Sequence, residues 1–498
     1  MELLALFRGK KVSPVEAAKA ALARIEACDG VFNAFRLVDA ARALASAEES
    51  ERRWLKGAPI GLLDGVPVSV KDVFLTKGWS TLYGSRLVSA DQPWSEDAPA
   101  VARLKEAGAV LIGKTTTPEF HWKTVTDSPL TGVTRNPWNP ALTSGGSCGG
   151  AAVAVATGMG ALALGTDGGG SIRVPSAFTG IFGFKPSFGR VPLWPPGAFG
   201  TMAHVGPMTR SVTDAALMLN VIAGPDARDW HALPFDAVDY RAGLDDGIEG
   251  ARVAFSRDFG FAAVDPEVAA AVARAARTFA GLGANVEEKS PGFADPRAIF
   301  ETLAFAAIAH ELSRFDAGQR KLMDPGLVVV AEIGARVALE NYLAASHARD
   351  ELGIRMRKFH EIYDLLITPT VPIPPFAAGQ DVPDPTRQSH WTEWSPFTYP
   401  FNLTGQPAAS VPCGFTKAGL PVGLQIVGPA YGDRLVLRAA RAFEQAHRIV
   451  DWMPGKAALT ASTGDTFFPR NSARNSITAA LHHGLGLSFR AAKACVQI

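Results

Sequence analysis

Between Glu96 and Lys114 the chain reads EDAPAVARLKEAGAVLIGK, a helix that stops on a glycine and passes straight into an apolar strand. Asp97 is a capping residue type, Pro99 suits a first turn, Gly108 ends the helix, and Ala109 to Ile112 form the strand. The same grammar returns at ARVAFSRDF from Ala251, at an Ala-rich helix opened by Asp265-Pro266 and running to Phe279, and, after Gly281 and Gly283, at ANVEE. Strand, helix and strand in one pass require an α/β architecture with a mainly parallel or mixed sheet. No repeat of 20 to 50 residues interrupts this pattern.

The chain has 498 residues, 47% of them hydrophobic and 19% charged, with Gly 49 and Pro 35, which is the make-up of an ordered globular protein rich in turns. Its 49 basic and 48 acidic residues leave a net charge of +1, so nothing marks a nucleic-acid or anionic-membrane surface. Cys28, Cys148, Cys413 and Cys495 are too scattered for a disulfide framework or a zinc cluster, which points to a reducing compartment and no structural metal. The start, MELLALFRGKK, lacks the layout of a secretory signal, and a cytoplasmic location is expected. The longest apolar run, Ala151 to Gly165, is too short to span a bilayer and reads as buried core. After Pro454-Gly455 the composition shifts to Ser, Thr, Asn and Arg, so residues 1–456 are expected as the folded unit and 457–498 as an appendage of poorly ordered composition.

GAVLIGKT, from Gly108 to Thr115, matches the phosphate-loop pattern GxxxxGK[ST]. That loop needs a strand before its first glycine and a helix starting at its lysine. Here a helix precedes, and Ala-Val-Leu-Ile is itself the strand, so the nucleotide reading is rejected.

The stretch GTDGGGSIR, Gly165 to Arg173, delivers a serine out of three glycines with no histidine for thirty residues on either side. A second glycine-flanked serine, Ser147, lies 171−147 = 24 residues upstream, and the segment between them reads as helix followed by strand. Such a loop is a tight turn, a phosphate nest or a catalytic turn. In the last case the N–H groups of Gly168, Gly169, Gly170 and Ser171 converge on a developing oxyanion. Upstream, GLLDGVPVSVKDVF carries an apolar strand from Val66 to Val70 into Lys71. A lysine there either snorkels to solvent or is held in a site, where desolvation lowers its pKa toward a neutral, basic amine.

Taken together, GVPVSVKD and the Gly/Ser-rich segment Gly145 to Pro186 closely resemble the amidase signature enzymes. The resemblance extends through GKTTTPEFHW, TDSPLTGVTRNPWNP, LLITPTVP and PFNLTGQPAASVPCGF, covering Glu2 to Gly455 and weakest between Trp230 and Leu365. It implies one α/β/α domain whose large mixed, mainly parallel sheet is covered by helices. It also implies a Ser-cisSer-Lys triad: Ser171 as nucleophile, Ser147 on a cis peptide as bridge, and Lys71 as base. The proton of Ser171 then passes through Ser147 to Lys71, which is why no histidine is needed. The implied reaction is hydrolysis of a small-molecule carboxamide through an acyl-enzyme, with no metal, cofactor, nucleic acid or membrane, and a homodimer is the assembly to expect.

Asp167 and Arg173, which flank the nucleophile, are expected to brace the loop as a buried pair. Cys148 stands where the family usually has a second serine and is read as a small core residue rather than a nucleophile. His121 and His204 fall nearest the site-like segments and are read as packing residues. Phe120 and Trp122, together with Trp394 from the aromatic stretch HWTEWSPFTYPFNLTG, are the expected pocket wall, with core packing as the alternative. The alternative function is the ammonia-releasing, glutamine-hydrolysing component of a tRNA-dependent amidotransferase. In that branch an acidic residue precedes the NLTG-like turn, and the matching place here is Ser395.

Overall fold

In the computed structural model, which describes residues 1–447, the apolar run before Lys71 becomes the strand Pro67–Lys71, buried along its whole length. Side chains alternate along it: Val68 and Val70 enter the larger hydrophobic core, while Ser69 and Lys71 point to the opposite face. Near that face lies the helix Gly149–Thr157, made only of small and β-branched residues and fully buried.

Among the described residues, eleven strands form one sheet. In spatial order they are Phe35–Val38, Val110–Thr115, Pro67–Lys71, Leu162–Asp167, His204–Thr209, Phe182–Lys185, Ala408–Phe415, Pro421–Val427, Leu365–Pro369, Arg252–Phe255 and Asn285–Glu288. The expected large mixed sheet covered by helices is present. Parallel pairing holds in two wings, Val110–Thr115 with Pro67–Lys71 and Leu162–Asp167, and Leu365–Pro369 with Arg252–Phe255 and Asn285–Glu288. Between the wings the pairing is antiparallel, and it takes a larger share than the helix-then-strand grammar suggests. One of these pairs is a local hairpin, Ala408–Phe415 and Pro421–Val427 joined by a tight turn at Gly419, whose φ is 76°, and others join segments distant in sequence.

The segment from Arg252 to Glu288 folds as its sequence reads. Asp265 caps the helix Pro266–Gly281 by accepting from Glu267 N and Val268 N, and the strands on either side pair in parallel. Asp97 behaves differently from expectation. The helix Pro99–Glu106 starts from Ala98, with no side-chain cap, and Asp97 instead accepts from Lys77 N at 2.8 Å and Lys105 Nζ at 2.6 Å. The phosphate-loop look-alike is a strand whose Lys114 is fully buried, donating to Phe74 O at 2.7 Å and to the Thr81 hydroxyl, with Asp72 at 3.3 Å. Among the described residues no helix is long and apolar enough to cross a membrane. The expected appendage, 457–498, lies outside the described residues.

Candidate active site

Lys71 ends its strand inside the protein, with no exposed surface. Its Nζ donates to Ser147 Oγ at 2.6 Å and to Thr166 Oγ1 at 2.9 Å. Burial pulls the amine below the ordinary lysine range, and the neighbouring Cys148 and Asp167 pull in the opposite direction.

Ser147 reaches the lysine from a backbone that only glycine permits. The Gly146-Ser147 peptide is cis, and a Cβ on Gly146 would lie 2.4 Å from the Val125 carbonyl carbon and oxygen. Thr126 Oγ1 donates to Gly145 O at 2.9 Å and accepts from Gly149 N at 3.0 Å, so one threonine hydroxyl spans this turn and the start of the helix that follows.

Ser171 emerges between the strand Leu162–Asp167 and the helix Arg173–Thr179. It is 6% exposed, and its hydroxyl makes no hydrogen bond with any described residue, whereas its carbonyl accepts from Cys148 N at 3.2 Å. That backbone bond ties the two serine turns together. Lys71, 76 residues before Ser147, ends one of two neighbouring parallel strands, Ser171 follows the other, and Ser147 sits in the turn before the helix that joins the chain to that second strand.

Asp167 and Arg173 form a pair with neither side chain exposed. The guanidinium bonds both carboxylate oxygens at 2.9 Å, and its other N–H groups reach Thr398 O, Gln425 Oε1 and Asn402 Oδ1. Burial alone would raise the Asp167 carboxyl, but Arg173 holds it well below the usual carboxylate range. The same carboxylate accepts from Gly170 N at 2.8 Å and Ile172 N at 3.2 Å. Of the N–H groups expected to face an oxyanion, Gly170 is therefore occupied, and those of Gly168, Gly169 and Ser171 have no partner among the described residues. Arg173→Met strands a buried carboxylate, and we expect a loss of about 3–5 kcal/mol in unfolding free energy, measured by chemical denaturation. A loss below about 1 kcal/mol would mean that the pair does not hold this loop.

Of the residues expected as an aromatic wall, Trp394 stacks on Phe178 at 6.0 Å and stands edge-on to Phe376 at 5.1 Å, and its indole N–H donates to Asp381 O. Trp391, three residues earlier, stands against the glycines: a Cβ on Gly169 would come within 2.6 Å of its ring and 2.9 Å of Phe300. Phe199 likewise closes on Gly168. Phe120 stacks on Tyr83 at 6.3 Å, and the Trp122 carbonyl accepts from the Trp391 indole at 3.0 Å. Phe300 lies where the sequence carries least pattern, and no signal in the sequence marks it.

Cys148 is fully buried, its thiol donates to Thr166 O at 3.1 Å, and burial pushes its pKa up, all of which oppose thiolate chemistry. His204 Nδ1 faces Met202 O at 2.8 Å and Asp167 O at 3.2 Å, a packing role. Ser395 is buried and bonded to Thr398 Oγ1 at 2.9 Å, and Thr398 in turn donates to Gly169 O at 2.6 Å. His121 is taken up below.

The amidase family profile, described as Amidase, matches residues 16–437. A glutamyl-tRNA(Gln) amidotransferase component from Myxococcus xanthus (strain DK1622) is 39% identical over 473 residues, 90% of this chain and 96% of that protein. An acylamidase of Rhodococcus erythropolis is 35% identical over 92% of this chain and 98% of its own length. A solved bacterial aryl acylamidase, described as belonging to the amidase signature enzymes, superposes with a TM-score of 0.84 at 31% identity, covering 90% of this chain and 96% of that one. With its sheet, its buried lysine and its paired serine turns set beside these likenesses, the chain belongs to the amidase signature family and is an amide hydrolase acting on carbon–nitrogen bonds.

Proposed function

We propose that the chain hydrolyses a small or medium carboxamide with apolar substituents to a carboxylate and ammonia or an amine, through an acyl-enzyme on Ser171. In the neutral amine Thr166 Oγ1 still accepts one N–H of Lys71, and the contact with Ser147 reverses so that the lone pair takes the Ser147 proton. Ser147 passes on the proton that Ser171 gives up as its Oγ attacks the carbonyl carbon. The N–H groups of Gly168, Gly169 and Ser171 receive the oxyanion in this reading; Gly170, serving Asp167, shapes the loop instead. As the tetrahedral intermediate collapses, the carbon–nitrogen bond breaks and the proton returns along the same path to the departing amine. Water then enters by the same base and releases the carboxylate, and none of these steps calls on a metal or a cofactor.

One observation carries the substrate reading: Ser395 is a buried hydroxyl bonded to Thr398, and the glycine loop is faced by Trp391, Phe300 and Phe199. An aromatic wall with a neutral residue at that place suits an apolar substituent and gives the α-ammonium of glutamine no counter-charge there. Sequence identity favours the second reading, an ammonia-releasing component of an amidotransferase, since the Myxococcus amidotransferase protein is 39% identical and the acylamidase 35%. The two are separated by assaying the purified chain alone on aryl, aliphatic and amino-acid amides, with glutamine included. We expect kcat/KM for an apolar amide to exceed that for glutamine by about a hundredfold, about 2.7 kcal/mol of discrimination. Glutaminase activity that appears only with a co-purifying partner would replace this reading with the second.

A further inference from the structure

His121 is placed with unusual care for a residue to which the chemistry above gives no task. It follows Phe120 in the sequence, and the two have φ of 50° and 47°, while Tyr83, which accepts from Phe120 N at 2.8 Å, has φ of 53°. Three non-glycine residues in the left-handed region thus meet in one pair of turns, a conformation that persists only where surrounding contacts enforce it. Those contacts are visible. The Glu119 carboxylate takes Ser85 Oγ on one oxygen and Asp324 N on the other, both at 2.6 Å, and His121 N donates to Pro118 O at 2.9 Å.

The ring so held lies one aromatic ring away from the glycine loop. It packs against Phe199 at 5.7 Å, and Phe199 is the ring that closes on Gly168. Burial first and the charge of Lys71 second bring its pKa down to about 3, so the imidazole is neutral throughout the working range. Nδ1 is sealed and has no partner among the described residues, whereas the residue as a whole is only partly buried and Nε2 borders the space beside Gly197. An orphaned buried acceptor costs less than an orphaned buried N–H. We therefore assign the proton to Nε2, which faces the space beside Gly197.

Direction follows from the chemistry. The base that takes the nucleophile's proton returns it to the leaving amine, so the amine part of the substrate lies toward Ser147 and Lys71. We propose that His121 Nε2 donates a hydrogen bond to an acceptor carried by the amine part of the substrate, making His121 a specificity-determining residue for N-substituted amides that bear such an acceptor. This rests on the roles given above to Ser171, Ser147 and Lys71.

The test uses the full chain and amides of one apolar acid with benzylamine and with the three pyridylmethylamines, which differ only in a ring nitrogen acceptor and its position. kcat and KM are measured for the wild type, His121→Phe and His121→Gln, and fluorophosphonate labelling of Ser171 reports that each variant keeps its site. The wild type is expected to prefer one pyridylmethyl isomer over the benzyl amide by tenfold or more in kcat/KM. His121→Phe should erase that preference, and His121→Gln, whose amide N–H takes the place of Nε2–H, should restore most of it. Equal rates for all four amides in the wild type, or a preference that survives in His121→Phe, overturns the assignment. Failure of the wild type to hydrolyse any amide, these four and primary carboxamides included, instead refutes the amidase reading, and the assignment falls with it.

Discussion

Ser171→Ala is expected to lower kcat/KM by about 10⁴-fold or more while leaving the fold intact. The structure makes the substitution clean. The Ser171 hydroxyl has no partner among the described residues, so removing it strands no buried donor or acceptor, and the backbone carbonyl that accepts from Cys148 N is untouched. Unfolding free energy should stay within about 1 kcal/mol of wild type. The loss belongs to the chemical step, because the neighbouring hydroxyls are committed, Thr398 Oγ1 to Gly169 O and Ser147 Oγ to Lys71. Intact and peptide mass spectrometry after a fluorophosphonate probe checks this directly: one adduct on Ser171 in the wild type and none in the variant. Activity within tenfold of wild type would remove Ser171 from the mechanism.

How much of this was legible in the sequence depends on whether the signal is local. The strand into Lys71, the helix between the two serines and the helix Pro266–Gly281 are written in runs of apolar residues bounded by Asp, Pro and Gly, and each forms where those marks place it. Asp97 shows the limit of such marks. It has the chemistry of a cap, yet Lys105 and the Lys77 backbone claim its carboxylate, a competition that the sequence order cannot display. The antiparallel share of the sheet was likewise hidden, because pairing between Ala408–Phe415 and Phe182–Lys185 joins segments more than two hundred residues apart.

For the site, the glycine-flanked turns mark Ser147 and Ser171 and the apolar strand marks Lys71 as candidates, while their joint roles come from the resemblance to the amidase signature enzymes. The finer assignments fail where long-range contacts decide. Gly170 and Gly169 are adjacent and chemically identical, yet the N–H of one goes to Asp167 and that of the other stays free of any described partner. Trp394 and Trp391 share one aromatic stretch, and only the 3-10 turn at Trp391–Glu393 determines which of them faces the glycines. Phe300 reaches the loop from the helix Arg297–Leu312, in the segment of weakest resemblance. The aromatic face to which the proposed substrate preference is assigned is therefore built from residues that the sequence marks least.

Lys71→Met should cost nearly as much activity as loss of the nucleophile, about 10³-fold or more in kcat/KM. Methionine fills the space but offers no base, and it leaves Ser147 Oγ and Thr166 Oγ1 without the amine they shared. The pH dependence distinguishes loss of a base from loss of packing. Burial lowers the Lys71 pKa in the folded protein, so the amine is neutral and active above that value and protonated below it. The wild-type kcat/KM should fall tenfold per pH unit on the acid side once Lys71 titrates, and the residual rate of Lys71→Met should lack this limb. Stability carries the same signature with a definite sign. Because the folded pKa is depressed, the unfolded chain binds more protons between the folded and the ordinary lysine values, and the contribution of this group to stability rises with pH across that window. Substituting Lys71 removes that slope, so the stability gap between variant and wild type, measured by denaturant titration, should narrow or reverse toward low pH, where the wild type must either hold a buried charge or give it up by unfolding. A wild-type rate that stays flat to pH 5, together with a gap that does not move with pH, would mean that the amine is charged throughout and that Ser171 loses its proton to some other group.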